Sequence, residues 1–252
     1  MKKRIIARID VKNESAIKGI HLEGLRKIGD PNNLALNYYN SGVDEVIFMD
    51  AVAAYYDRNS LSEIIQRACN DVFVPITVGG GIRTLSDVQS ALNAGADKVA
   101  LNTQSIRTPE FISHASKIFG SQCIVASVEA KRNFESDSWN AYYDNGREDS
   151  GMDVISWVKE LESLGAGEIF ITSVDKEGTK KGFDVNLLNE ICNAVNIPVV
   201  ASGGAGSIGH VQELLSTSDA SGVALASLLH YEISTIKELK KFLIENKIKV
   251  RV

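Results

Sequence analysis

The chain has 252 residues, enough for one large α/β domain or two small ones. Its 44% hydrophobic and 23% charged content is ordinary for a globular protein, and a net charge of −5 with no run of Lys and Arg argues against nucleic acid as a partner. Cys69, Cys123 and Cys192 lie far apart and form no CxxC or Cys/His pattern, so neither a disulfide framework nor a metal site is expected.

The N-terminal MKKRIIARID carries basic residues but no apolar stretch long enough for a signal peptide. No later window reaches the roughly 18 apolar residues of a membrane span, so a soluble cytoplasmic protein is expected. Short apolar runs predict strands at 4–9, 45–49, 76–78, 98–101, 123–128, 168–172, 199–201 and 222–226. Between them, apolar residues at three- and four-residue spacing predict helices at 32–41, 60–70, 85–94, 109–119, 153–164, 186–194 and 208–216, several preceded by an Asp, Ser or Thr cap. Strands separated by helices pair in parallel, because a parallel connection needs a crossover. Eight of them in about 250 residues predict a closed (β/α)8 barrel, with a doubly wound open sheet as the rival. No linker or low-complexity segment interrupts the chain, and one domain over 1–252 is expected.

An internal repeat favours the barrel. VPITVGGGIR at 74–83 returns as IPVVASGGAG at 197–206, GVDEVIF at 42–48 as GAGEIFI at 165–171, and VAL at 99–101 as VAL at 223–225. DVK at 10–12 is echoed by EAK at 129–131. Two copies of a four-strand half account for all of these.

In such a barrel the residues at the strand C-termini share one mouth. Each glycine turn lets backbone N–H groups approach an anion, with a helix N-terminus behind it. Paired with the end of the next strand, the turns give two candidate phosphate cradles: Gly80, Gly81, Asn102 and Thr103, and Gly203, Gly204, Ala226 and Ser227. Asp50 and Thr172 end two further strands at the same mouth, and the turn containing Asp175 and Gly178 lies beside the second cradle. A ligand with a phosphate at each end would span both.

Asp10 and Glu129 follow the first and fifth strands, on opposite sides of the mouth. Two carboxylates facing one substrate can serve as general acid and base if their surroundings separate their proton affinities. The bland alternative is that each caps a helix or pairs with Lys12 or Lys131; their relation by the repeat favours catalysis. His21, His114, His210 and His230 have no metal spacing and read as surface or packing residues. At the strand starts, Arg4, Glu45, Lys98 and Glu168 put one charge on every second strand, which allows a salt-bridged ring across the barrel bottom.

The motifs KRIIARIDVK, IKGIHLEGLRKIGDP, VPITVGGGIRT, AGADKVALNT, FGSQCIV, ITSVDKEGTKKGFD and IPVVASGGAG resemble those of the cyclase subunit of imidazole glycerol phosphate synthase, of histidine biosynthesis, over nearly the whole chain. The resemblance implies a lyase without a cofactor, working as a heterodimer with a glutaminase subunit that supplies ammonia. It implies Asp10 as the first catalytic acid, Lys18 in a mobile first loop, and Arg4, Glu45, Lys98 and Glu168 as the ammonia gate. The sequence departs from the family pattern at Glu129 and Glu177, where aspartates are usual, and at Arg8, where a small cysteine is usual. Relatives with altered sites deliver ammonia to a sugar-amidating enzyme of surface-polysaccharide pathways, and that role is the first alternative. A phosphate-binding barrel without catalysis is the second; the isomerase of the same pathway lacks the gate residues and GSQCIV.

Overall fold

The computed structural model describes residues 2–52 and 61–251. Its first strand, β1 (Arg4–Lys12), shows how the wall is built. Successive side chains point to opposite faces. Ile5, Ala7, Ile9 and Val11 pack in the layer between strands and helices, while Ile6 belongs to a smaller cluster inside the barrel with Ile47, Ala100, Val125, Phe170, Val200 and Ala224. Both faces are therefore buried, which is why the barrel strands read as unbroken apolar runs rather than alternations.

From β1 the chain continues into an antiparallel hairpin, β2 (Ser15–Ile20) and β3 (Glu23–Gly29), and then α1 (Pro31–Asn40), whose N-cap is Asp30. The next units are β4 (Glu45–Asp50) with α2 (Leu61–Asp71), and β5 (Ile76–Gly79) with α3 (Leu85–Asn93). Thr84 and Asp87 start α3 with a reciprocal capping box. Next come β6 (Lys98–Leu101), a short α4 (Thr103–Arg107) and α5 (Glu110–Phe119). The fifth barrel strand, β7 (Ile124–Asn133), carries a second hairpin, β8 (Ser138–Tyr143) and β9 (Glu148–Asp153), before α6 (Val154–Ser163). The chain ends with β10 (Glu168–Ser173), α7 (Val185–Ala194), β11 (Val199–Ser202), α8 (Ile208–Thr217), β12 (Gly222–Leu225), α9 (Ser227–His230) and α10 (Ile236–Glu245).

The strands β1, β4, β5, β6, β7, β10, β11 and β12 pair in that order, each parallel to the next. The ring closes where Arg4 to Ala7 of β1 lie opposite Gly222 to Leu225 of β12. This is the (β/α)8 barrel expected from the sequence, and closure excludes the open sheet. The two hairpins sit at equivalent places, each on the first strand of a half.

Several boundaries differ from the sequence reading. β1 runs to Lys12 and β7 to Asn133, because each wall strand continues as one arm of a hairpin. Asp10 and Glu129 consequently lie within their strands, not after them. Cys123 ends a short 3-10 turn, Ser121–Cys123, instead of opening a strand. The helix expected at 60–70 is α2, its residue 60 lying outside the described residues. The hairpins escaped notice because their outer strands, β3 and β9, are polar and have no buried residue, and α4 and α9 because they are too short for a period. The sequence did carry a stripe for α10, Ile236, Leu239 and Leu243, all buried in the fold.

Candidate active site

At the strand-start end, Arg4, Glu45, Lys98 and Glu168 form a closed ring of ion pairs. Arg4 Nη1 is 2.9 Å from Glu45 Oε1, and Arg4 Nη2 pairs with Glu168. Lys98 Nζ is 3.2 Å from Glu45 Oε2 and 2.9 Å from Glu168 Oε2. Burial disfavours a charge on Arg4, but Glu168 and Glu45 outweigh it and raise its pKa further. The side chain of Lys98 is the most exposed of the four, at 19%. Inward of the ring lies the apolar cluster around Phe170 and Ile6.

Beyond that cluster stands Arg8, buried among strands from both halves. Its Nε donates to Asp10 Oδ1 at 2.8 Å, and its Nη1 donates to Thr172 Oγ1 at 2.9 Å and Ser202 Oγ at 3.1 Å. The guanidinium lies over Phe170, 5.6 Å from the ring centre. Burial of its charge is compensated chiefly by Asp10 and Glu177. Lys18 of β2 reaches the same place, 3.8 Å from Asp10 Oδ2 and paired with Glu177.

Asp10 and Glu129 are both buried, yet their surroundings drive them apart. Burial raises the proton affinity of Asp10, but Arg8 and Lys18 together reverse this and hold its carboxyl below the usual range. For Glu129 burial wins: although the Gly146 N–H and Arg8 oppose it, the carboxyl is pushed up to about 7. Gly146 N donates to Glu129 Oε2 at 2.7 Å. The pairings with Lys12 and Lys131 weighed from sequence are not the ones formed: Asp10 takes Arg8 and Lys18, and Lys131 lies over the Tyr142 ring.

The first cradle opens into the same cavity as the two acids. Gly80, Gly81, Asn102 and Thr103 line it together with Asp10, Asp50 and Glu129. Gly80 has φ 92°, and a Cβ there would fall 2.2 Å from the Asp50 carbonyl oxygen, so the turn demands glycine. The second cradle is faced differently. A Cβ on Gly203 would meet Ser173 O at 2.8 Å and Glu177 Oε2 at 3.3 Å, which puts the Lys18–Glu177 pair against this turn. Gly204 is as tightly held, its Cβ position 2.0 Å from Gly182 O. Ala226 and Ser227 are buried at the start of α9. Gly178 packs under the first hairpin, 2.4 Å from Gly19 O by the same measure. Asp175 accepts from the Arg132 N–H at 2.7 Å, and Thr172 is occupied by Arg8.

Three features at the mouth were missed. Arg83 and Arg107 line the cavity beside the first cradle. Arg83 was legible as the cation that ends the glycine turn; Arg107 follows Thr103 by one helical turn. The turn at 144–147, joining β8 to β9, supplies the Gly146 donor to Glu129, and its Asn145 donates to Leu22 O at 3.1 Å. His230, read with the other histidines as a surface or packing residue, packs against α1: its Nδ1 meets Tyr38 Oη at 2.6 Å, and burial lowers its pKa to about 4. Among the described residues, no group of three or more His, Cys, Asp or Glu could hold a metal ion. No described helix is long and apolar enough to cross a membrane.

A closed (β/α)8 barrel with two separated carboxyls at one end and a ring of ion pairs at the other defines the class of protein. The family profile described as "Histidine biosynthesis protein" matches residues 4–235. The chain is 46% identical over 250 residues to imidazole glycerol phosphate synthase subunit HisF of Lactococcus lactis subsp. cremoris (strain MG1363), covering 99% of this chain and 96% of that one. It is 44% identical to the HisF subunit of Streptococcus sanguinis (strain SK36) over the whole of both chains. With HisF of Legionella pneumophila it shares 53% identity over 81% of this chain and 96% of the other. The chain belongs to this histidine biosynthesis family, in its HisF group.

Proposed function

We propose that this barrel is the cyclase subunit of imidazole glycerol phosphate synthase, a lyase acting as one domain in a cytoplasmic heterodimer with a glutaminase subunit. Ammonia enters at the Arg4–Glu45–Lys98–Glu168 ring, crosses the barrel and meets a bisphosphorylated ribulosyl-formimino aminoimidazole carboxamide ribonucleotide at the mouth. The products are imidazole glycerol phosphate and aminoimidazole carboxamide ribonucleotide. One phosphate sits in each glycine cradle, with Lys18 of the first hairpin closing over the substrate.

The observation that carries this reading is the opposite tuning of two buried carboxyls in one cavity. Asp10, kept ionised by Arg8 and Lys18, takes protons as the base, and Glu129, protonated near neutral pH, gives them as the acid. Their proton exchange serves ammonia addition, loss of the aminoimidazole group and ring closure. The high identity to HisF subunits over full length supports the same reaction, and it lends no weight to ammonia delivery for sugar amidation or to a non-catalytic barrel.

The experiment is turnover of the ribonucleotide by purified protein with excess ammonium salt at mildly alkaline pH. Both products should appear in equal amounts. Binding of the ribonucleotide with no product under saturating ammonia would leave the delivery role in its place.

A further inference from the structure

The internal repeat sets Ser127 across the barrel from Arg8, since ARID at 7–10 is echoed by ASVE at 126–129. The two residues fill the interior unequally. Arg8 of β1 reaches past β12 to β11 and β10, where Ser202 and Thr172 hold it above the Phe170 ring. By the same two-fold relation, a long side chain at Ser127 of β7 would cover β6, β5 and β4; serine leaves that side uncovered. Ala100 there is small and Gly79 has no side chain, so the space is taken by Met49, whose Sδ lies 2.7 Å from where a Cβ of Gly79 would stand.

The cavity that holds both acids follows this asymmetry. Arg8, Met49, Ala100 and Ser127 form its floor, and none of its described lining residues belongs to β10, β11 or β12. Ala100 is also part of the inner apolar cluster, and Met49 packs against it. These two residues therefore join the cavity to the interior above the ion-pair ring.

We propose that Arg8 closes the β10–β12 side of the barrel interior and sends ammonia through the other side, between Met49, Ala100 and Ser127, so that it emerges beside Glu129. Arg8 is a positioning residue in this scheme, and Met49 is the side chain that moves. The scheme rests on the channelled-ammonia reading given above. Moving Arg8 would part a buried ion pair with Asp10 and strip Thr172 and Ser202 of their donor, which is strongly disfavoured. Met49 is only partly buried, and its unbranched thioether adapts to irregular gaps. Ammonia is about as small as water, so a rotamer change at one side chain frees room for it.

The test compares glutamine-driven with ammonium-driven turnover in the complex with the glutaminase partner. Ammonium reaches the mouth from solvent and needs no path through the floor. The repeat supplies a matched pair, because Ala100 and Ala224 hold equivalent places and each is 3% exposed. In Ala100→Val the ratio of glutamine-driven to ammonium-driven rate should fall on the order of tenfold, and in Ala224→Val it should stay within about twofold of wild type. Met49→Phe should behave as Ala100→Val does, and takes its place if overpacking keeps that variant from folding. Arg8→Ser copies the residue that the repeat sets opposite. Added to Ala100→Val, it should bring the ratio back toward the wild-type value. It lowers both rates through Asp10, and the ratio cancels that loss. A ratio that falls equally in Ala100→Val and Ala224→Val, or that Arg8→Ser does not restore, overturns the role of Arg8 alone. A wild type that uses ammonium but forms no product from glutamine overturns the channelled-ammonia reading, and this role with it.

Discussion

Glu129 and Asp10 make opposite contributions to the dependence of stability on pH. An ordinary glutamate in an unfolded chain releases its proton near 4.5, while folded Glu129 holds it to about 7. The folded state therefore binds more protons in that window, and the stability Glu129 contributes is full below about 4.5 and is lost as pH rises toward 7. The loss is roughly 3 kcal/mol at most. Asp10 runs the other way, since its folded proton affinity is depressed: its contribution is present above the ordinary aspartate range and is lost only in acid. In urea melts, Glu129→Gln should gain on the wild type steadily between pH 5 and 7.5; a difference independent of pH contradicts the assignment. Arg8 adds a second expectation. Removing Asp10 alone strands a buried guanidinium, so Asp10→Ala should cost about 3–5 kcal/mol of stability. The double variant Arg8→Met/Asp10→Ala should recover part of that, and an additive loss would show that the pair is not coupled.

The two hairpins are where the sequence was least readable and where the mouth is shaped. GLRKIG and EDSGMD contain too few apolar residues to announce strands, and each is held by pairing to the inner arm of its hairpin, β2 or β8, rather than by burial of its own face. Lys18 came from family resemblance, yet its burial against Glu177 and Asp10 depends on β2 folding back over the barrel, which no local pattern reveals. The glycine turns were legible because a strand, a turn and a helix start adjoin in sequence, and Asp10 because the repeat relates it to Glu129. Arg107 and Gly146 were not, because they join the site only through tertiary structure. Glu177→Gln should loosen the first hairpin without unfolding the barrel. Hydrogen exchange of the amides in 15–29 should speed up while the amides of β4 and β10 hold their protection. Uniform acceleration would mean that the pair stabilises the whole fold instead.

The barrel itself was written twice in the chain, and that repetition made eight strands and two glycine turns recognisable. Alternating charges at strand starts likewise foretold which residues meet at the bottom, because barrel strands bring every second one to the same layer. What the repeat could not foretell is how unlike its halves are at the mouth: the first cradle opens into the cavity with both acids, and the second is faced by Lys18 and Glu177. With a glutaminase partner present, Lys98→Ala should lower product formed per glutamine hydrolysed on the order of tenfold and leave the ammonium-driven rate largely intact. Equal loss with both nitrogen sources rules out a gate.

The most direct measurement is ammonium-driven turnover of the ribonucleotide by Asp10→Asn and Glu129→Gln beside the wild type, with folding of each variant checked by its unfolding transition. Each substitution should lower turnover by about 10²–10⁴-fold, the usual worth of a positioned acid or base, with substrate binding retained. Glu129→Asp, which preserves the carboxyl, should keep activity well above Glu129→Gln. Turnover within a few-fold of wild type in either Asp10→Asn or Glu129→Gln would contradict the claim that these two carboxyls carry the chemistry.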